Sequence, residues 1–343
     1  MRVGVIGPVF PDDFAENILH CLPDLGVEAV ALGPAAWRGG QNVLARRVVA
    51  RIRLAGGMPD GWFQRALVRR AVEQSLDVVI SVDGALRPDA VAALRRHGVR
   101  TCLWFPDGVN NLLLYQFFHA PYDVMFFKDP LLVERLRATL GLPARHLPEA
   151  CNPAWHRPPA EPWEAERGPA PGAVEPHPPE PHIVVAGNLY ASRQVLLSRL
   201  LDAGIPVRIY GPPLPRMAPD PRLRAIHTGR YVARHEKARV FRRAAAVLNN
   251  LAPSEMNSVN CRLFEAAGSG AAVLCEHRPT LPELFEPDRE VVVFTDFDEL
   301  VERARKLLSD ADLARSIGDA AAARAHRDHT YQRRLAVILE EVA

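Results

Sequence analysis

Cysteine is scarce in this chain, five residues among 343, and no two of them stand as Cys-x-x-Cys. An odd, scattered set at Cys21, Cys102, Cys151, Cys261 and Cys275 argues against both a disulfide framework and a structural zinc site. They read as buried, reduced thiols. No apolar run is long enough to cross a bilayer, which speaks against a transmembrane segment. Met1-Arg2-Val3-Gly4-Val5-Ile6-Gly7 reads directly as a strand and lacks the apolar core of a signal peptide, so a cytoplasmic location is expected. Strong charge of either sign is also lacking. A formal net charge of +2 gives no reason to expect a nucleic-acid partner. The basic pairs Arg46-Arg47, Arg69-Arg70, Arg95-Arg96 and Arg242-Arg243 sit in helical patterns and read as solvated faces. Lysine is rare beside arginine, a bias ascribed to genome composition.

What is present is an ordinary globular composition, 48% hydrophobic and 24% charged. At 343 residues the chain exceeds the size of one hydrophobic core, so two domains are expected. Residues 157–181 form the seam. Their proline density sustains neither helix nor central strand and reads as a linker. Before the seam, Arg2–Ile6, Val27–Leu32, Val78–Val82, Val99–Phe105 and Val124–Phe127 read as strands. Helical patterns over 14–22, 61–74 and 88–97 lie between them, and Asp129-Pro130 opens another helix. After it the pattern restarts. Strands are expected at His182–Ala186, Val207–Tyr210, Val247–Asn249, 271–275 and Val291–Phe294. Helices are expected over 192–203, 235–246, 298–308, 312–326 and 331–342. Alternation of this kind predicts an α/β fold with a parallel sheet in each half. The expected division is 1–156, the linker 157–181, 182–328 and a final helical segment 329–343. Sheets of this type bind ligands beyond the carboxyl ends of their strands, and the crevice between two such domains is the default site.

Residues 254–270 (SEMNSVNCRLFEAAGSG) are the most informative stretch. A polar loop opens a short helix, and the free N–H groups at a helix start, at its positive pole, can hold a diphosphate. With Ser258 as N-cap, the backbone of Ser258, Val259 and Asn260 forms that cradle. Glu265 then lies two turns in, where it either accepts hydrogen bonds from ribose hydroxyls or pairs with Arg262 on the same helix. Arg262 is correspondingly either a phosphate ligand or that partner. Gly187 and Asn188 follow the first strand of the second half, and Arg193 offers a fork for phosphate oxygens. This turn is not a dinucleotide-binding fingerprint, and no P-loop occurs. Tyr210, at the end of the next strand, is read either as a cover for a nucleobase or as core. Asn249 and Asn250 end another strand as amides that would need several partners if buried; they are read as donor-site residues or else as caps of local turns. In the first half, Trp104-Phe105-Pro106-Asp107-Gly108 leads on to Val109, Asn110 and Asn111. Asp107 is read either as a general base on the acceptor side or as a good turn residue. His119 and His156 are lone histidines for which a structural role is the commoner outcome.

The second half resembles the glycosyltransferases grouped with the spore-maturation protein CgeB, relatives of the GT-B class. The resemblance is carried by Arg239-Val240-Phe241 through Val247-Leu248-Asn249, by Asn260-Cys261-Arg262-Leu263-Phe264-Glu265-Ala266-Ala267-Gly268 and by His329-Thr330-Tyr331-Gln332-Arg333-Arg334. It covers residues 180–335, and the first half only in its pattern and in Trp104–Asp107. It implies two Rossmann-like domains facing across a cleft, with the final helix crossing back to the first domain. The nucleotide-sugar donor would be held by the second domain and an unidentified acceptor by the first. No cofactor and no metal are implied, the diphosphate being neutralised by helix pole and basic side chains. Many retaining GT-B enzymes carry a second carboxylate eight residues before the one matching Glu265; here that position is Asn257, and Glu255 is two residues away. If configuration is retained, Asn257 or Glu255 supplies the sugar-side contact; if it is inverted, a base such as Asp107 is required. Two further functions keep this fold: a nucleotide-sugar 2-epimerase, and a non-catalytic sugar- or nucleotide-binding assembly protein.

Overall fold

The computed structural model describes residues 1–36, 60–108, 115–159, 181–213 and 220–343. Arg46-Arg47, the triplet Val109, Asn110 and Asn111, and all of the proline-rich seam between 160 and 180 lie outside them. The chain divides into two compact units, Met1–Pro148 together with Gln332–Ala343, and Glu149–Tyr331. Residues 149–156, grouped by sequence with the first half, thus belong to the second unit.

In the first unit the Val- and Ile-rich runs form β1 (Arg2–Ile6), β2 (Glu28–Gly33), β3 (Val78–Ser81), β4 (Arg100–Phe105) and β5 (Val124–Phe127). A short β6 (Ala144–His146), absent from the sequence reading, adds an edge. All pair in parallel, in the order β2-β1-β3-β4-β5-β6. Helices α1 (Phe14–Cys21), α2 (Asp60–Glu73), α3 (Pro88–Arg96) and α4 (Pro130–Leu140) connect the strands. The start of α4 shows how local chemistry sets a boundary. The Asp129 carboxylate accepts from the N–H groups of Leu131 and Leu132, and Pro130 occupies a position that needs no donor. Asp13 caps α1 in the same way, accepting from Glu16 N–H.

The second unit contains β7 (Ile183–Ala186), β8 (Val207–Tyr210), β9 (Ala246–Asn249), β10 (Val273–Glu276) and β11 (Val292–Phe294). They form a parallel sheet in the order β11-β10-β9-β7-β8. Both faces are buried, which the two-residue period of strands makes visible. Val184, Val247 and Val273 enter one core cluster, and Ile183, Val185, Leu248 and Leu274 the other. The helices are α5 (Ala191–Asp202), α6 (Arg222–Ala225), α7 (Arg234–Arg243), α8 (Cys261–Gly268), α9 (Leu281–Leu284), α10 (Phe297–Ser309) and α11 (Ala311–Asp328). Helix α7 stops at Arg243 instead of running to 246, because Ala244 is already extended (φ −71°, ψ 153°) ahead of β9.

Where the chain comes into and leaves this unit, Cys151 and Thr330 form an isolated parallel bridge. The Cys151 N–H donates to His329 O at 2.9 Å and Tyr331 N–H to Cys151 O at 3.0 Å. The last helix, α12 (Tyr331–Val342), then returns to the first unit. There Arg334 Nε donates to Pro148 O at 3.1 Å and Gln332 to the Asp24 carboxylate at 2.7 Å. Among the described residues no helix is long and apolar enough to cross a membrane.

Candidate functional site

The residues singled out in the second unit gather at the carboxyl ends of β7, β8 and β9 and at the start of α8. Helix α8 is anchored from behind. Leu263 through Gly268 are all buried, and Phe264 packs on Phe285 and His329 with ring centroids 6.0 and 5.4 Å away. Its amino end is built differently from the sequence reading. The N-cap is Asn260, not Ser258, and no side chain caps it. Ser258 is turned inward, its hydroxyl donating to Glu255 Oε2 at 2.7 Å, and Val259 is core. Glu255 thus serves the loop preceding the helix, and Asn257 O in that loop accepts from the Thr280 hydroxyl at 2.6 Å. Asn260 Oδ1 is buried with no partner, although an N-cap asparagine usually accepts from its own helix.

Arg262 stands one residue into α8. Its guanidinium lies against Gly187, the residue that follows β7, where a Cβ would clash with Nη2. Gly187 has φ +105°, and its N–H donates to Tyr210 O at 2.8 Å. Gly211 closes in on Gly187 in turn, since a Cβ there would lie 2.5 Å from Gly187 O. Only residues without side chains let the three segments approach this closely. No hydrogen bond or ion pair holds the Arg262 guanidinium among the described residues, and its Nε is buried without a partner. The intrahelical pair between Arg262 and Glu265 does not form.

Arg193 is placed otherwise. It is 1% exposed, and its three nitrogens are all engaged: Nε to Asn250 Oδ1 at 2.8 Å, Nη2 to Asn250 O at 3.0 Å and Nη1 to Asn188 O at 2.7 Å. It therefore ties the loop after β7 to the end of β9. Burial, and after it the neighbouring charge of Arg262, push its pKa down to about 10. Two guanidiniums in electrostatic contact, one of them unpaired, make a site that favours an anion.

Glu265 is 6% exposed and pairs with a residue the sequence reading overlooked. Lys237 Nζ, from α7, lies 3.1 Å from Glu265 Oε2. His156 also comes close, with a ring nitrogen within 4.8 Å of the Glu265 carboxylate, and its Nδ1 accepts from Asn152 N–H at 3.1 Å. Beside them burial, then Glu265, hold the Cys261 thiol well above its usual range. Asn249 is fully buried; its amide nitrogen donates to Cys275 Sγ at 3.5 Å and its Oδ1 has no partner. Tyr210 is 4% exposed and belongs to the core. The exposed ring of this region is Tyr190, 46% accessible, with the Arg193 guanidinium 5.0 Å from its centroid. In the first unit Asp107 stands exposed just beyond β4, and His119 is also exposed.

Residues 193–340, which include Arg193, Lys237, Asn249, Arg262 and Glu265, match the sequence profile of a family described as glycosyl transferase-like. No curated protein matches the sequence. Solved structures do match over the full length. Sucrose-phosphate synthase from Thermosynechococcus elongatus superposes with a TM-score of 0.68 at 14% identity, covering 99% of this chain and 98% of that one. The UDP-forming α,α-trehalose-phosphate synthase of Burkholderia xenovorans, solved with glucose-6-phosphate, gives 0.64 at 14%, covering all of both chains. Anabaena HepE in complex with UDP-glucose gives 0.65 at 13%, covering 99% of each. The α/β fold with two parallel sheets is thus the GT-B fold of glycosyltransferases, as expected from the sequence.

Proposed function

We propose that the protein is a glycosyltransferase that takes a sugar from a nucleotide-diphosphate donor held by its second unit. The observation that carries this reading is the unpaired Arg262 guanidinium, laid on Gly187 at the open amino end of α8. The diphosphate sits there, between Arg262 and the N–H groups that α8 and its leading loop leave unused. Glu265, in the second turn of α8, accepts from the ribose hydroxyls. Arg193 acts through its charge and through the loop it ties down, since its own donors are committed. Transfer breaks the bond between the sugar's anomeric carbon and the diphosphate oxygen while an acceptor oxygen bonds to that carbon. The negative charge that grows on the departing diphosphate falls on Arg262 and the helix pole, which is the reason to expect turnover without a metal ion. Asp107 is the acceptor-side base in this reading. The UDP-forming and UDP-glucose-bound structures that share the fold make uracil the first base to try.

The test is a thermal-shift screen against UDP-, GDP-, dTDP- and CDP-sugars in the presence of a chelator. A donor that binds the folded state raises the melting temperature once its concentration exceeds its Kd. A clear rise with one nucleotide, abolished in Arg262→Ala, is expected. No rise with any of them at millimolar concentration overturns the reading.

A further inference from the structure

Three lysines occur in 343 residues, Lys128, Lys237 and Lys306. Lys237 is on the buried stripe of α7 with Ala238 and Phe241, while no arginine of that helix is buried. The ammonium is thus carried inward on the face where an apolar side chain would ordinarily pack. It meets Glu265 at 3.1 Å, with the side chains 9% and 8% exposed. Stability does not account for this. Taking two charges out of water costs about as much as their attraction returns, and apolar residues of similar volume often serve as well or better. A pair of this kind points to a task for one of its members.

We infer that Lys237 is a positioning residue for the nucleoside: it holds Glu265 in place through Oε2, leaving Oε1 to accept from the ribose hydroxyls. The inference rests on the donor reading above. A buried carboxylate without a partner is free to turn among rotamers, and a fixed ion pair removes that freedom. Lys237 does so without touching the ribose itself. It also costs Glu265 one of its two oxygens, so the carboxylate has a single oxygen left for the vicinal pair.

The experiment measures the affinity of the full chain for UDP, GDP, CDP and ADP, each beside its 2′,3′-dideoxy counterpart. The ratio of the two Kd values reports the ribose hydroxyls alone, because diphosphate and base cancel. For the wild-type protein a ratio on the order of tenfold or more is expected for the preferred base. Glu265→Gln and Lys237→Met should each bring it to below about threefold, with diphosphate binding retained, whereas Lys237→Arg should restore it. If Lys237→Met does not fold, Lys237→Gln takes its place, with the same fall expected. A wild-type ratio in folded Lys237→Met or Lys237→Gln overturns the role of Lys237 and leaves the donor site standing. No binding of any nucleoside diphosphate by the wild-type protein removes the donor reading itself. Binding without discrimination removes the pairing of Glu265 with ribose; in both cases the inference falls with it.

Discussion

The guanidinium of Arg262 rests on the backbone of Gly187, close enough that a Cβ on the glycine would clash with Nη2 and stand 3.1 Å from Cζ. The contact joins the end of β7 to the first turn of α8, and it fixes a guanidinium that no hydrogen bond or ion pair engages among the described residues. Position and charge can therefore be perturbed separately, one from each side.

Gly187→Ala leaves Arg262 chemically intact and moves it. The methyl group must displace the guanidinium, and φ +105° is a conformation that alanine resists. A loss of about 1–2 kcal/mol in stability is expected from the backbone strain. Donor affinity should fall in addition, by roughly tenfold, the scale of one charge-assisted hydrogen bond. Titration with the stabilising nucleotide, together with a melting curve, checks both. Undiminished affinity would show that the placement of Arg262 is irrelevant to the ligand.

Arg193 and Arg262 should behave as opposites. Arg193 is fully buried with three hydrogen bonds, so Arg193→Met strands Asn250 Oδ1 and two carbonyls. A loss of roughly 2–4 kcal/mol is expected, from several buried acceptors left unsatisfied at once. Arg262→Met should leave the melting temperature near wild type, because no protein acceptor depends on that side chain, and should weaken the nucleotide instead. Denaturant unfolding of the two variants, set beside nucleotide titrations, separates the roles. Equal destabilisation would mean that Arg262 is structural after all.

The parallel sheets were legible because their strands are short runs of Val, Ile and Phe, and the start of α4 because Asp129-Pro130 is a local instruction. The amino end of α8 was placed two residues early. Ser258 is the better capping residue by type, but its hydroxyl is taken by Glu255, and the cap falls to Asn260. Asn249 and Asn250 looked alike in the sequence, yet successive residues of a strand point to opposite faces. One therefore meets the Cys275 sulfur and the other Arg193. The partner of Glu265 was out of reach for a different reason. A local search offers Arg262, three residues away, whereas Lys237 lies on another helix and is brought in only by the packing of α7 against α8.

Asp107 carries the one catalytic assignment in the first unit. As a base it would take the proton from the acceptor hydroxyl, a step worth typically 10²–10⁴-fold in rate. Asp107→Asn should accordingly lower kcat by about that range while leaving nucleotide affinity within about twofold, since the donor contacts proposed above are all with the second unit. Steady-state rates and the same titration decide it. A normal rate would reduce Asp107 to a turn residue.

Alkaline pH offers a check on the buried frame of the site. Cys275 packs under Asn249, and burial holds its thiol up at about 12, against 9.0 when exposed. Between those values the unfolded chain has released the proton and the folded protein still keeps it. The proton balance therefore favours unfolding, and the stabilising contribution present below pH 9 declines as pH rises toward 12. Cys275→Ala removes this one term and leaves every other titration in place. Measured in parallel by denaturant unfolding, the wild-type protein should lose stability relative to Cys275→Ala by about 1.4 kcal/mol per pH unit across that window, with a constant difference below pH 8. A difference that stays flat up to pH 11 would mean the thiol ionises as readily inside the protein as outside, and that water reaches the underside of β9 and β10.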